Sequence, residues 1–207
     1  GNLADQSHLD QILILLLNPK EESDRNDIES AIAYSFRRIS DKKIQTDALT
    51  KALEKADEIA KPSILSLLGR DPNEQSLQLL ISALKETESI QLAAIGALTK
   101  WPNRGPANDL LKIASEEKNP NRDAALNSYI ILSSKSPNPT LSYRKALELN
   151  NSTATAKKVL AGLGQSGGIQ SLEIIKPYLE NSETSNEAAL AATQVAKRIK
   201  DSHTATV

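Results

Sequence analysis

Residues 71–102, DPNEQSLQLLISALKETESIQLAAIGALTKWP, decide how this chain folds. The first half sets Leu77, Leu80, Ile81 and Leu84 at spacings of three and four, so these side chains share one face of a helix. The second half repeats the device with Ile90, Ala94, Ala97 and Leu98, alanine standing where two helices must approach closely. Between them Glu86-Thr87-Glu88-Ser89 is a polar break, and the hydroxyl of Thr87 or Ser89 suits the cap of the second helix. Trp101-Pro102 ends the unit, because a residue before proline is pushed out of helical geometry. Neither helix can bury its apolar face alone, whereas stacked copies can.

Copies of this pattern extend in both directions. Toward the N-terminus, residues 6–17 predict a helix that is apolar nearly all round and so wants neighbours on every side. Either the second pair buries it, or one face belongs to a repeat or domain ahead of it. Asn18-Pro19 stops it, and 24–39 forms its partner with Ile28, Ile32, Phe36 and Ile39 inward. The second pair is 44–56, with Leu49 and Leu53 inward, and 58–69, with Ile64, Leu65, Leu67 and Leu68 inward. Pro62 falls near the start of that helix, where its missing N–H costs least, and Gly69 reads as its stop.

Toward the C-terminus, 107–115 pairs with 122–134, whose inner face is Ala125, Leu126, Tyr129, Ile130 and Leu132. Then 140–149, carrying Leu141, Tyr143 and Leu147, pairs with 153–163, ended by Gly164. After Gly167-Gly168 a first helix bears Ile169, Leu172, Ile175 and Leu179. Its partner over 187–199 packs through Ala188, Leu190, Ala191, Ala192, Val195 and Ile199. Residues 201–207 read as a frayed tail. The second helices end near Gly69, Trp101, Lys135 and Gly164, a period of roughly 30 to 34 residues. The pattern therefore predicts an all-α, right-handed solenoid of about six helix pairs, one domain over 1–207 with no strand and no low-complexity linker.

Composition agrees with this class. Of 207 residues 39% are hydrophobic but only 3% aromatic, so the core must be built of Leu, Ile and Ala, which favours helix on helix. The 25 Lys and Arg are scattered among 26 Asp and Glu, which leaves no basic stripe and disfavours nucleic acid. The absence of cysteine excludes disulfides, zinc–thiolate sites and a cysteine nucleophile. The absence of methionine is what a mature or excised segment of a longer product would show. The apolar run at 12–17 is too short to span a bilayer, so no membrane insertion is expected.

Few residues suggest chemistry. His8 and His203 lie at opposite ends of the chain, whereas a metal site or catalytic dyad needs neighbours, so both read as solvated surface side chains. The acidic pairs Glu21-Glu22, Glu86/Glu88 and Glu116-Glu117 sit in polar turns. The run from Gly162 to Gly168 lacks the Lys-Ser or Lys-Thr and the preceding strand of a phosphate loop, and reads as a helix cap and turn. Trp101 is either a structural corner against Pro102 and Pro106 or a partner anchor. Arg104, Arg122 and Arg144, with Lys100 and Lys135, accumulate in the central units as solvated charge or as a patch for an acidic partner. The partner-binding candidates are thus Trp101, Arg104, Arg122 and Arg144. No catalytic, cofactor-binding or metal-ligating residue is nominated, and no cofactor is implied.

The pattern resembles HEAT repeats, the armadillo-like α–α superhelix, with LLGRDPNEQSLQLLISALKE and VLAGLGQSGGIQSLEIIKPYLE similar to junctions between successive units of that family. The runs ALTKWPNRGPANDLLKIA, ALNSYIILS, YRKALELN, KKVLAGLGQ and EAALAATQVAKRI resemble the HEAT-type module of large exported planctomycete and Bacteroidetes proteins. Such modules are often fused to 3-keto-disaccharide-hydrolase-like domains. The resemblance implies a periplasmic or otherwise exported scaffold that holds a protein, or an adjacent domain of its own polypeptide. An alternative is an accessory module of a carbohydrate-active enzyme whose catalytic domain lies elsewhere. HEAT units commonly set an Asp and then an Arg around the turn into the second helix, forming a ladder between units. Here Gln91 follows Ile90 where Arg is common and the sixth unit shows Asn186, so that ladder is incomplete.

Overall fold

The structure, a computed structural model, describes residues 2–17, 24–39, 41–150 and 152–204. Among the described residues it is all-helical, and the chain divides into two compact units, Gly1–Trp101 and Pro102–Val207. The first holds α1 (Asn2–Leu17), α2 (Arg25–Phe36), α3 (Lys42–Lys55), α4 (Lys61–Leu68), α5 (Glu74–Ala83) and α6 (Glu88–Thr99). The second holds α7 (Ala107–Ser115), α8 (Arg122–Ser133), α9 (Thr140–Leu149), α10 (Thr153–Ser166), α11 (Ser171–Ile175) and α12 (Ser185–Thr204). The sequence reading ends a repeat at Trp101-Pro102 but draws no domain boundary there.

Within each unit, helices adjacent in sequence pack as hairpins and second helices pack on second helices. α2 lies against α4 and α4 against α6; separately, α8 lies against α10 and α10 against α12. The buried face follows the periodicity: Leu80, Leu84, Ile90, Ala94, Ala97 and Leu98 are all buried, while Leu77 and Ile81 are half-buried. Side-chain caps start several helices. Asp41 accepts from the Lys43 amide at 2.9 Å, Asn73 from Ser76 at 2.9 Å and Ser152 from Thr155 at 3.3 Å. Thr87 occupies the N-cap of α6, but no cap hydrogen bond forms and its hydroxyl lies 3.5 Å from that of Ser89.

Several expectations are corrected. The first helix of the sixth pair is not continuous to Leu179: α11 stops at Ile175 and a 3₁₀ turn covers Lys176–Tyr178, because Pro177 has no N–H to continue the helix. Conversely α12 runs to Thr204, since Asp201-Ser202-His203 contains no Gly or Pro to stop it; residues 205–207 lie outside the described ones. Leu141 and Leu190, expected inward, are 74% and 60% exposed. In α9 the buried side is Thr140, Tyr143 and Ala146, and in α12 it is Ala188, Ala191 and Val195. Each leucine stands about 100° or more around the helix from those positions. In α1, Leu9, Leu13 and Leu16 are buried but Ile14 and Leu15 face solvent, so one side of this helix is open. Asn18-Pro19 lies outside the described residues.

The glycines act by closeness rather than by unusual backbone. None of the described ones has positive φ, and Gly69, at φ −66°, is an ordinary right-handed residue. A Cβ there would come 2.8 Å from the Ala97 Cβ, so α4 and α6 meet across a missing side chain. Gly164 does not end its helix, which continues to Ser166; its missing side chain admits Ala191, whose Cα would stand 3.1 Å from an added Cβ. We predict that Gly69→Ala lowers stability by about 1–3 kcal/mol through overpacking. Gly96, exposed on α6 with open space around it, behaves oppositely: Gly96→Ala stabilises by up to about 1 kcal/mol. Denaturant midpoints of the two variants will shift in opposite directions.

Candidate partner-binding surface

Inside each unit polar side chains near the starts of second helices tie helix ends together, within a pair or between successive pairs, and they stand at matched sequence positions. Lys61, Gln91, Arg122 and Thr153 stand 30 or 31 residues apart near the starts of α4, α6, α8 and α10. Lys61 forms an ion pair with Glu86 in the next turn of its unit. Gln91 Nε2 donates to the Leu84 carbonyl at 2.7 Å. Arg122 Nε donates to the Ala114 carbonyl at 3.0 Å, and its Nη2 to the Leu149 carbonyl at 2.7 Å. Thr153 Oγ1 donates to Glu183 at 2.6 Å. The last carbonyls of a helix have no intrahelical partner, and a planar guanidinium reaches two of them at once. Lys61, Arg122 and Thr153 therefore join one helix pair to the next inside their units, whereas Gln91 closes the end of α5 within its own pair.

Of the candidates from sequence, Trp101 is 4% exposed at the end of α6, its amide donating to the Leu98 carbonyl at 3.0 Å. Arg122 is half-buried with its guanidinium turned onto backbone. Arg104 is exposed. Arg144 is exposed, lies 3.9 Å from Glu173 and edges an open cleft with Leu147, Pro177 and Tyr178. The glycine-bearing run is a polar socket: Arg198 Nη1 donates to the Gly167 carbonyl, and its Nη2 to those of Gly164 and Gln165, each at 2.6 Å. His8 lies in α1 and His203 in α12, their side chains outside the described ones, as is Glu21-Glu22. Glu86 is paired with Lys61, and Glu116 accepts from Asn119 at 2.8 Å. Among the described residues no cluster of three or more His, Asp or Glu could hold a metal, and no helix is long and apolar enough to cross a membrane.

The second helices of the second unit carry a feature that sequence reasoning missed. Between α8 and α10 lies a cleft of about 370 Å³ with Ile130, Ile131, Tyr143, Ala161 and Gly162 as its apolar walls. Its rim is Asn127, Ser134, Lys158 and Gln165. The Tyr143 ring fills the place where a Gly162 side chain would stand. Burial raises the pKa of the Tyr143 phenol, partly opposed by its hydrogen bond to Ser166. At the end of α8, desolvation lowers that of the Lys135 ammonium. On α12 the Lys157 ammonium, 2.8 Å away and hydrogen-bonded to it, holds the Glu187 carboxyl below its usual range. The signal available in the sequence was register: Asn127 and Lys158 stand 31 apart on successive second helices and hydrogen-bond to each other.

Two predictions follow from this geometry. Arg122→Gln strands carbonyls at the ends of α7 and α9 and lowers stability by about 1–3 kcal/mol, whereas Arg104→Gln stays within about 0.5 kcal/mol. For Tyr143 the folded pKa lies above the unfolded one, so the neutral phenol stabilises the fold fully below about pH 10 and the benefit is lost as pH rises through the folded value. Thermal melts taken through that alkaline window will fall more steeply for the parent than for Tyr143→Phe. Comparison with protein-family models, with characterised proteins and with solved structures finds no match to this chain.

Proposed function

We propose that the chain is a non-catalytic interaction scaffold, a right-handed α-solenoid of about six HEAT-like pairs. It holds another protein, or a neighbouring domain of its own polypeptide, against the surface of its second helices. The observation that carries this reading is the use made of those helices. They stack on one another inside each unit, yet Leu92 on α6, Ile131 on α8 and Leu190 on α12 remain 49%, 47% and 60% exposed. Side chains of that size facing solvent on the stacked helices offer contact area without an enclosed reaction chamber. Service outside the cytoplasm beside a sugar-processing domain belongs to the same proposal and is supported by the resemblance to exported HEAT-type modules.

The test is a photo-crosslinking residue placed in turn at Leu92, Ile131, Leu190 and Leu141 of the full-length gene product in its own cells. Crosslinks to a common partner from the three second-helix positions, and not from Leu141 on α9, support the scaffold. Crosslinks from Leu141 alone, or from none, overturn it. Turnover of a disaccharide by these 207 residues alone would overturn its non-catalytic character.

A further inference from the structure

We infer that the cleft between α8 and α10 receives an acidic segment of a partner protein that presents one large apolar side chain. This rests on the scaffold reading and names the partner's chemistry. The cleft walls, Ile130, Ile131, Tyr143 and Ala161, are apolar, and Ile131 is 47% exposed. Ile130 and Tyr143 are already buried, so a phenylalanine or leucine side chain would gain by covering Ile131 and Ala161, in proportion to the area removed from water. Among the described residues lining the cleft, the charged one is Lys158.

The surroundings carry the same sign. α10, one side of the cleft, holds Lys157 and Lys158 and no acidic residue. The carboxylate of α8, Asp123 at its start, accepts from Asn150, and on α12 Glu187 is paired with Lys157 while Asp201 lies in its last turn. Lys158 donates to the Asn127 carbonyl oxygen across the rim. A carboxylate arriving there takes the ammonium by a charge-assisted bond and leaves the Asn127 amide group positioned to donate beside it. An apolar floor fixes one anchor while a cationic rim selects the flanking charge, which is the division of labour expected of a specific docking site.

The experiment uses the whole chain and a short fluorescently labelled peptide of aspartate and glutamate with one central phenylalanine, read by anisotropy at low and moderate salt. Two further probes replace that phenylalanine with serine, or all the acids with lysine. Binding is expected for the first probe and at least about tenfold weaker for the other two. Lys158→Glu and Ile131→Asp are each expected to weaken it about tenfold, while Arg104→Gln leaves it unchanged. Both altered residues are exposed, and Ala161→Phe, which fills the cleft while leaving its charge alone, gives a second variant of independent folding risk. Equal binding of the serine probe would mean attraction by net charge only and overturns the inference. So would preference for the lysine probe, or unchanged affinity in both Lys158→Glu and Ile131→Asp. If the peptide fails while crosslinks still issue from Ile131, the occupant is wrong and the scaffold stands; if crosslinks come only from Leu141, both fall.

Discussion

The tight approach of neighbouring second helices is the constraint on which the rest depends. Where α4 meets α6 there is no room for a methyl group on Gly69, and where α10 meets α12 one on Gly164 would displace the Gln194 amide and press on Ala191. Small residues at these crossings let backbones come close, and closeness brings the larger side chains of each helix into the grooves of the next. Leu67, Leu68, Ala97 and Leu98 on one side, and Leu160, Leu163, Ala191 and Val195 on the other, are buried as a result. Interior positions such as these are costly to alter, because a packed core has nowhere to put additional volume.

Apolar contact alone would let hairpins slide, and the polar ties fix their register. Gln45, fully buried, gives its amide to the carbonyls of Phe36 and Ile39 at 2.8 and 2.7 Å, closing the end of α2 from the next pair. Thr46 donates to the buried Asp71 carboxylate at 3.0 Å and accepts from Asn73 at 2.8 Å, both across from one helix pair to the next, and Thr140 meets Ser171 at 3.1 Å in the same relation. Each of these satisfies a group that would otherwise be stranded away from water, and each works only when the pairs are aligned.

Much of this was legible in the sequence, and the misses have physical causes. The bounds of α7 and α9 follow from apolar periodicity and flanking prolines, and the burial of Tyr129 and Tyr143 follows from their place on apolar faces. The apolar spacing through Leu179 suggested one helix, but Pro177 within it has no N–H and the helix stops before it. Leu141 and Leu190 were drawn inward by hydrophobicity although Thr140, Tyr143 and Ala146 on α9, and Ala188, Ala191 and Val195 on α12, held the inner positions. The ladder was sought as Asp and Arg; inside the units successive pairs are joined by Lys61, Arg122 and Thr153, because what the site requires is a donor of suitable reach rather than one residue type, while Gln91 bonds within its own pair. The α8–α10 cleft needed the register of two helices, which no single amphipathic pattern contains. Arg122 looked free in sequence because its acceptors are backbone carbonyls, invisible in a residue string.

The socket that Arg198 occupies has a consequence for how the molecule comes apart. In a row of repeats, coupling runs between nearest neighbours, and a terminal helix is ordinarily the first to melt. Here a single guanidinium on the far half of α12 holds three carbonyls at the end of α10. Loosening α12 would strip those carbonyls of their donors, so the two helices gain or lose order together. The last two helix pairs of the second unit are thus fastened to each other through α12.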